Sequence, residues 1–526
     1  MNYLSTRRDF IKGVIGSALV VLTSPAATTP PNSNPAKKYN LPWTDKLFWG
    51  NILNITSVSA ADVGDFWDKR VAKAQEILIS KGGGVIYFPP GTYRFRDNIY
   101  LNNGIILRGA EPEEGLNASD SRYTLNSRLE FPRYTPSFTG DGAPVDTAFK
   151  GILSASPKDA SNCGVVHLDI NRGYINLGEA DNHSCGSNRI VFGCIIRNAA
   201  GASPDIPNKK ENQPGWLRYT HKFRAAIGIN VYENALVAQN RIPKSGDDNF
   251  VIREYPLKDR KGTINFYEVE FDYDNRPGIY VNHYCIGGQG GSGNDGTPQT
   301  HPHGFRKGIY ICDNYIYSTG RTAIGFCGDG VICAANVIRF AKDIIRPTVT
   351  GIHCSYGSST NDNRAVEMRG WRWTLKDNDY EVYRNLCSDK KYYINDGEGL
   401  MHEDHCNSTV LDSYIINNRG NSYLSIFHCG EINGLHIEGN DISVSHSIQD
   451  IYVATPRHKQ QGEFPIKNVS IVKNITRSNG IRVYGFPSEK VVVKDNRHIG
   501  EKQGVILNEA NAELENNVNY IVKTSK

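Results

Sequence analysis

The chain has little from which to build a helical bundle or a membrane anchor. Of 526 residues only 3 are Met and 6 are Trp, and beyond residue 22 no apolar run approaches the length that crosses a bilayer. An excess of one charge is also missing. The 59 Lys and Arg face 55 Asp and Glu, and a formal net charge of +4 is small for this length, so no nucleic-acid partner is indicated. The 11 cysteines contain no Cys-x-x-Cys pair, which speaks against a structural zinc site, and their odd number leaves at least one without an intramolecular partner. What is present is 51 Gly, 28 Tyr, 19 Phe and abundant Asn, a composition suited to many short strands and tight corners. The length would hold several ordinary domains, but a solenoid escapes that rule because each turn packs only on its neighbours.

The N-terminus reads as an address. Ser5-Thr6-Arg7-Arg8-Asp9-Phe10-Ile11-Lys12 resembles the twin-arginine export consensus, an apolar run follows at 14–22, and Ser24-Pro25-Ala26 offers small residues for cleavage. Residues 1–26 are therefore expected to be a signal peptide and 27–45 a flexible linker, with one domain over 46–526 in a periplasmic or secreted protein. Loss of the signal leaves 56 basic and 54 acidic side chains, close to neutrality.

The most informative stretch is 82–95, GGGVIYFPPGTYRF. Three glycines end a helix predicted over 60–81, whose apolar stripe includes Phe66, Ala74 and Leu78. Val85 to Phe88 form a short β-run, Pro89-Pro90-Gly91-Thr92 turn the chain, and alternation resumes through 98–109. The segment 60–109 resembles the opening of pectate-lyase-like right-handed parallel β-helix proteins, in which a capping helix runs into this motif. The resemblance implies an all-β solenoid with a helix over the open end of its first coil and long loops walling a groove. It does not choose a chemistry, because that superfamily includes lyases, hydrolases, epimerases and phage adhesins.

Later residues keep a rhythm. Asn314 and Asn336, Asn418 and Asn440, and Asn474 and Asn496 are each 22 apart, and Asn517 follows 21 after Asn496; Asn198 and Asn240 are 42 apart. One Asn per coil at a tight corner, in the left-handed conformation, accounts for the spacing. Cys312, Cys333 and Cys354, each 21 apart, are expected to stack at one inward position. Residues 110–160 read as loops. The rhythm breaks again at 200–222, in the Gly-rich 286–307, and at 355–400, which holds Trp371 and Trp373, aromatics suited to sugar faces.

Candidate chemistry lies in three places. INDGEGLMHEDH, 394–405, gathers Asp396, Glu398, His402 and His405, enough for a general acid and a general base. The bland alternative is a solvated polar turn. SGDDNFVIR, 245–253, carries Asp247 and Asp248, which with His303 resemble elements of the polygalacturonase family. That family's Asn-Thr-Asp and Arg-x-Lys elements are absent, and an Asp pair capping a corner explains the motif as well. His283, His301, His303, Arg306 and Lys307 form a basic set suited to a sugar carboxylate or sulfate. The residues name no cofactor; a divalent cation such as calcium would suit the carboxylates.

The leading expectation is a monomeric, exported carbohydrate lyase or dehydratase, acting by β-elimination on an anionic, uronate-containing poly- or oligosaccharide. His402 or His303 would be the base, Arg306 and Lys307 would neutralise the carboxylate, and Asp396 and Glu398 would supply acid or cation-holding groups. A glycoside hydrolase using paired carboxylates and a non-catalytic glycan-binding protein are the alternatives.

Overall fold

A computed structural model describes residues 32–59, 65–132, 150–155, 160–178, 186–197, 226–231, 233–243, 251–259, 262–270, 279–283, 308–317, 322–327, 330–339, 350–354, 373–381, 409–421, 424–426, 431–443, 449–455, 457–458 and 462–524. The chain forms a right-handed parallel β-helix. A coil lays one short strand on each of three faces, save that among the described residues the coil of Trp373–Lys376 and Asp379–Glu381 has none on the third. The first sheet has 14 strands, the second 12, and the third is made of a seven-stranded and a five-stranded piece. Apart from two local hairpins, every pairing is parallel and joins successive coils.

Register stacks like on like. In the third sheet Ile99, Ile152, Ile175, Ile227, Ile279, Ile324 and Ile352 form one column across seven rungs. Where its side chains are described they are buried, and each contributes about 1.5–3 kcal/mol by leaving water. The first sheet has a matching inward column that includes Ile86, Leu107, Val165, Val191, Val237 and Ile311. The expected cysteine stack does not form. Cys312 is in register with Ala334 and Cys333 with Ile311, whereas Cys354 lies in the third sheet. The coil here is 22 residues long, so a spacing of 21 moves the next thiol to the other side of the strand.

The corner between the first and second sheets carries the asparagines. Asn240, Asn314, Asn336, Asn378, Asn418, Asn440, Asn474, Asn496 and Asn517 form a continuous ladder, and all but the last are fully buried. Each backbone N–H and side-chain amide donates to the Oδ1 of the next Asn; Asn314 does so at 3.1 and 2.9 Å to Asn336. The second amide hydrogen goes to a strand carbonyl one coil earlier, as from Asn314 to Val237 at 2.9 Å. The expectation that these Asn are themselves left-handed is corrected. The residue before each one turns: Gln239, Asp313, Ala335, Asp377, Asn417, Gly439, Lys473, Asp495 and Asn516 all have positive φ. The rung before Asn240 is Cys194, whose N–H donates to Asn240 Oδ1 at 3.0 Å, so Asn198, outside the described residues, is not that partner.

The capping helix runs over Asp68–Ile79, shorter than the expected 60–81, and residues 60–64 lie outside the described set. Val71, Ala74 and Leu78 enter the core, and Gln75 donates to the carbonyl of Tyr100 at 2.9 Å. Gly82 to Gly84 follow at positive φ; a Cβ at Gly84 would stand 2.4 Å from the carbonyl of Asn51, so only glycine fits. Two strands, Ser127–Glu130 and Gly151–Ser154, sit inside the stretch read as loops.

The expected linker is also corrected, because from residue 32 it belongs to the folded body. Ala36, Leu41, Trp43, Leu47 and Trp49 lie along the outer face of the first sheet, on Val85, Ile106, Ile190, Phe192, Leu236 and Cys312 among others. The strap is pinned at both ends. Arg108 donates to the carbonyl of Ser33 at 2.7 Å, and the Tyr39 hydroxyl donates to Asp313 at 2.6 Å.

Two outcomes test this account. Asn336→Ala removes an acceptor for two buried donors of Asn314 and should cost about 2–4 kcal/mol in urea unfolding, while the same change at half-buried Asn517 should cost less. His167 is buried, its Nδ1 has no hydrogen-bond partner, and burial, then the charge of Arg108, pushes its pKa down from 6.5 to about 3. Between those values the unfolded chain binds a proton that the folded chain refuses. Its contribution is therefore intact above about pH 6.5 and is lost as pH falls toward 3, at about 1.4 kcal/mol per pH unit at most. His167→Asn, which suits the left-handed corner at φ 52°, should flatten the acid limb of stability against pH.

Candidate functional site

Where the chain leaves the cylinder decides where a site can form. From Gln239-Asn240 through Asp495-Asn496, every connection from the first to the second sheet is two residues long. Long connections enter and leave the third sheet instead. From the second to the third sheet run 131–150, 198–226, 243–278 and 340–349; from the third back to the first run 178–188, 284–308 and 355–372. The segment 382–408 joins a second-sheet strand, Asp379–Glu381, to a first-sheet strand, Thr409–Ile416. The seven-stranded third sheet is thus the one that these connections enter and leave. Its outward column runs Tyr100, Leu153, Asn176 and Gly228, and continues in register through Tyr280, Gly325 and His353. At its N-terminal end Tyr100 is exposed, and nearby Lys150 pairs with Asp97 at 2.7 Å. That bond and the N–H of Asn98 hold the Asp97 carboxyl below its usual range.

Most of the residues expected to carry chemistry, namely Asp247, Asp248, His301, His303, Arg306, Lys307, Trp371, Asp396, Glu398, His402 and His405, lie outside the described residues. Their anchor points are described. The connections that contain them start and finish on coils whose first-sheet strands are five successive rungs, from Ala235–Ala238 to Thr409–Ile416, a span of about 19 Å. Part of the connection holding Asp247 and Asp248 is an antiparallel hairpin, Val251–Asp259 with Gly262–Glu270. His283 closes the third-sheet strand Ile279–His283, in register with Val231. Trp373 opens a first-sheet strand, Trp373–Lys376, in register with Val331. The two therefore stand on different sheets. The excursion read over 355–400 is two connections separated by one regular rung, which supplies the ladder residue Asn378.

A second polar group was not anticipated. On the outer face of the first sheet, past the end of the strap, Tyr414, His436 and Ser470 occupy consecutive rungs. His436 Nδ1 meets the Ser470 hydroxyl, and its Nε2 lies 2.7 Å from Glu438 Oε2. Lys473 donates to the other Glu438 oxygen at 3.0 Å. The Tyr414 ring, 43% exposed, stands edge-on to His436 at 6.1 Å. Hydrogen bonds from His436 and then Lys473 hold the Glu438 carboxyl below its ordinary value. The sequence contains the signal: in LHIEG, His436 and Glu438 are two apart on a strand and so share a face. Ser470 could not be found that way, since its neighbourhood exists only through register. Among the described residues no group of three or more His, Cys, Asp or Glu could hold a metal ion, and no helix is long and apolar enough to cross a membrane.

No protein-family model matches the chain, and no curated protein matches it. Solved structures with a similar course include the A-module of mannuronan C-5 epimerase AlgE6 from Azotobacter vinelandii, 10% identical, with a TM-score of 0.36 over 90% of this chain and 95% of that one. PfbA, a surface adhesin of Streptococcus pneumoniae, is 13% identical, with a TM-score of 0.33 over 90% and 93%. The tailspike gp49 of Acinetobacter baumannii bacteriophage Fri1, a capsular polysaccharide depolymerase, is 10% identical, with a TM-score of 0.36 over 90% and 64%. Likeness at this level carries no argument about substrate or mechanism.

Carboxyl titration by NMR should place the Glu438 midpoint below its ordinary 4.5, and Lys473→Ala should move it upward.

Proposed function

We propose that the chain is an enzyme, exported on its Arg7-Arg8 signal, that cleaves an anionic, uronate-containing poly- or oligosaccharide by β-elimination at the outer face of the third sheet. One observation carries the reading. The segments richest in His, Arg and carboxylates fall on coils of five successive first-sheet rungs, and three of the four, 243–278, 284–308 and 355–372, enter or leave the third sheet. A polymer lying along the cylinder axis would meet these segments in turn.

Elimination needs three things. Arg306 and Lys307 neutralise the uronate carboxylate, which stabilises the enolate-like charge that develops when the C5 proton leaves. An imidazole, His402 or His303, takes that proton. Asp396 or Glu398 protonates the departing oxygen, whether glycosidic or hydroxyl. Trp371 and Trp373 offer ring faces to the sugar, and Asp247, Asp248, His283 and His405 complete its polar contacts.

The test is incubation with uronate-containing oligosaccharides, following the ultraviolet absorbance of the unsaturated uronate together with new reducing ends. Absorbance should rise, and His402→Ala or His303→Ala should lower kcat/KM at least about 100-fold. Reducing ends without absorbance would identify a hydrolase and overturn elimination; intact but bound substrate would identify a binding protein.

A further inference from the structure

The polar group on the first sheet is arranged for a different reaction. A carboxylate on Nε2 settles which imidazole nitrogen carries hydrogen, leaving Nδ1 as the acceptor for the neighbouring hydroxyl. Glu438 orients His436, and His436 accepts from Ser470: this is the logic of a nucleophile, base and orienting acid, with the two ring nitrogens exchanging their familiar partners. Lys473 donates to the other oxygen of the same carboxylate. The group is open to solvent, with His436 and Glu438 each about one-third exposed. Tyr414 on one side and Val492 on the other give the next rungs a small apolar shelf. A flat shelf of this kind suits a short acyl chain, not a long one.

We propose that Ser470, His436 and Glu438 form a serine esterase site that removes short acyl groups, such as acetyl, from an alcohol. Ser470 Oγ bonds to the ester carbonyl carbon while its proton passes to His436 Nδ1. The ester C–O bond then breaks, and the departing alkoxide takes that proton, leaving acyl-Ser470 and free alcohol. Water attacks the acyl carbon and gives a proton to Nδ1. The Oγ–C bond breaks, Ser470 recovers the proton, and a carboxylic acid leaves. No oxidant is needed, and water is the sole co-substrate. The site lies on another sheet from the proposed elimination chemistry and stands or falls without it.

The full chain should hydrolyse p-nitrophenyl acetate and take a single fluorophosphonate label, mapped by peptide mass spectrometry to Ser470. Ser470→Ala and His436→Gln should each lower the rate at least about 100-fold, and Ser470→Ala should lose the label. Ser488→Ala, on the next strand of the same sheet, should change neither. The side chains are partly exposed, so thermal unfolding like that of the wild type should show that the variants fold. Absence of label, a label on any other residue, or undiminished hydrolysis by Ser470→Ala or His436→Gln overturns the assignment.

Discussion

The asparagine ladder governs the rest of the molecule. Each amide is committed to the rungs before and after it, so one added residue at that corner would leave buried donors on both sides without acceptors. This explains where variation is allowed. The single long connection at the same corner, 110–126, precedes the first ladder rung, where Tyr123 closes on the carbonyl of Gly193 instead. Once the ladder begins, insertions fall between a second-sheet strand and the next first-sheet strand, where the chain enters or leaves the third sheet or, at 382–408, joins the second sheet to the first. A structural hydrogen-bond chain on one edge thereby selects the opposite face for loops and for whatever they bind.

The fold was legible because it depends on local, repeated rules. GGGVIYFPPGTYRF specifies a helix end, a strand and a corner in succession, and Asn spaced by 22 marks the coil. What misled was finer than the repeat. Asn was assigned the left-handed turn, although the residue before it makes the turn, and Cys312 and Cys333 miss each other by one position because side chains alternate every residue while the coil closes every 22. Trp373 and Asn378 were read as loop because long connections flank their rung on both sides.

The site was less legible, for a physical reason. His402, Glu398, His303 and Arg306 are grouped by composition alone, and the long segments that hold them have no repeat to fix their relative positions. His436 and Glu438 follow a period of two and could have been paired from the sequence; Ser470, 34 residues after His436, joins them only when a coil of irregular length is closed.

The strap has a consequence for how the molecule is made. Tyr39 is bonded to Asp313, a partner 274 positions downstream. During synthesis the oldest part of the body therefore cannot settle until seven rungs have been completed beneath it. Until then a greasy stripe headed by Ile106 and Ile190 stays open to solvent, because among the described residues the segment 36–49 is what covers it.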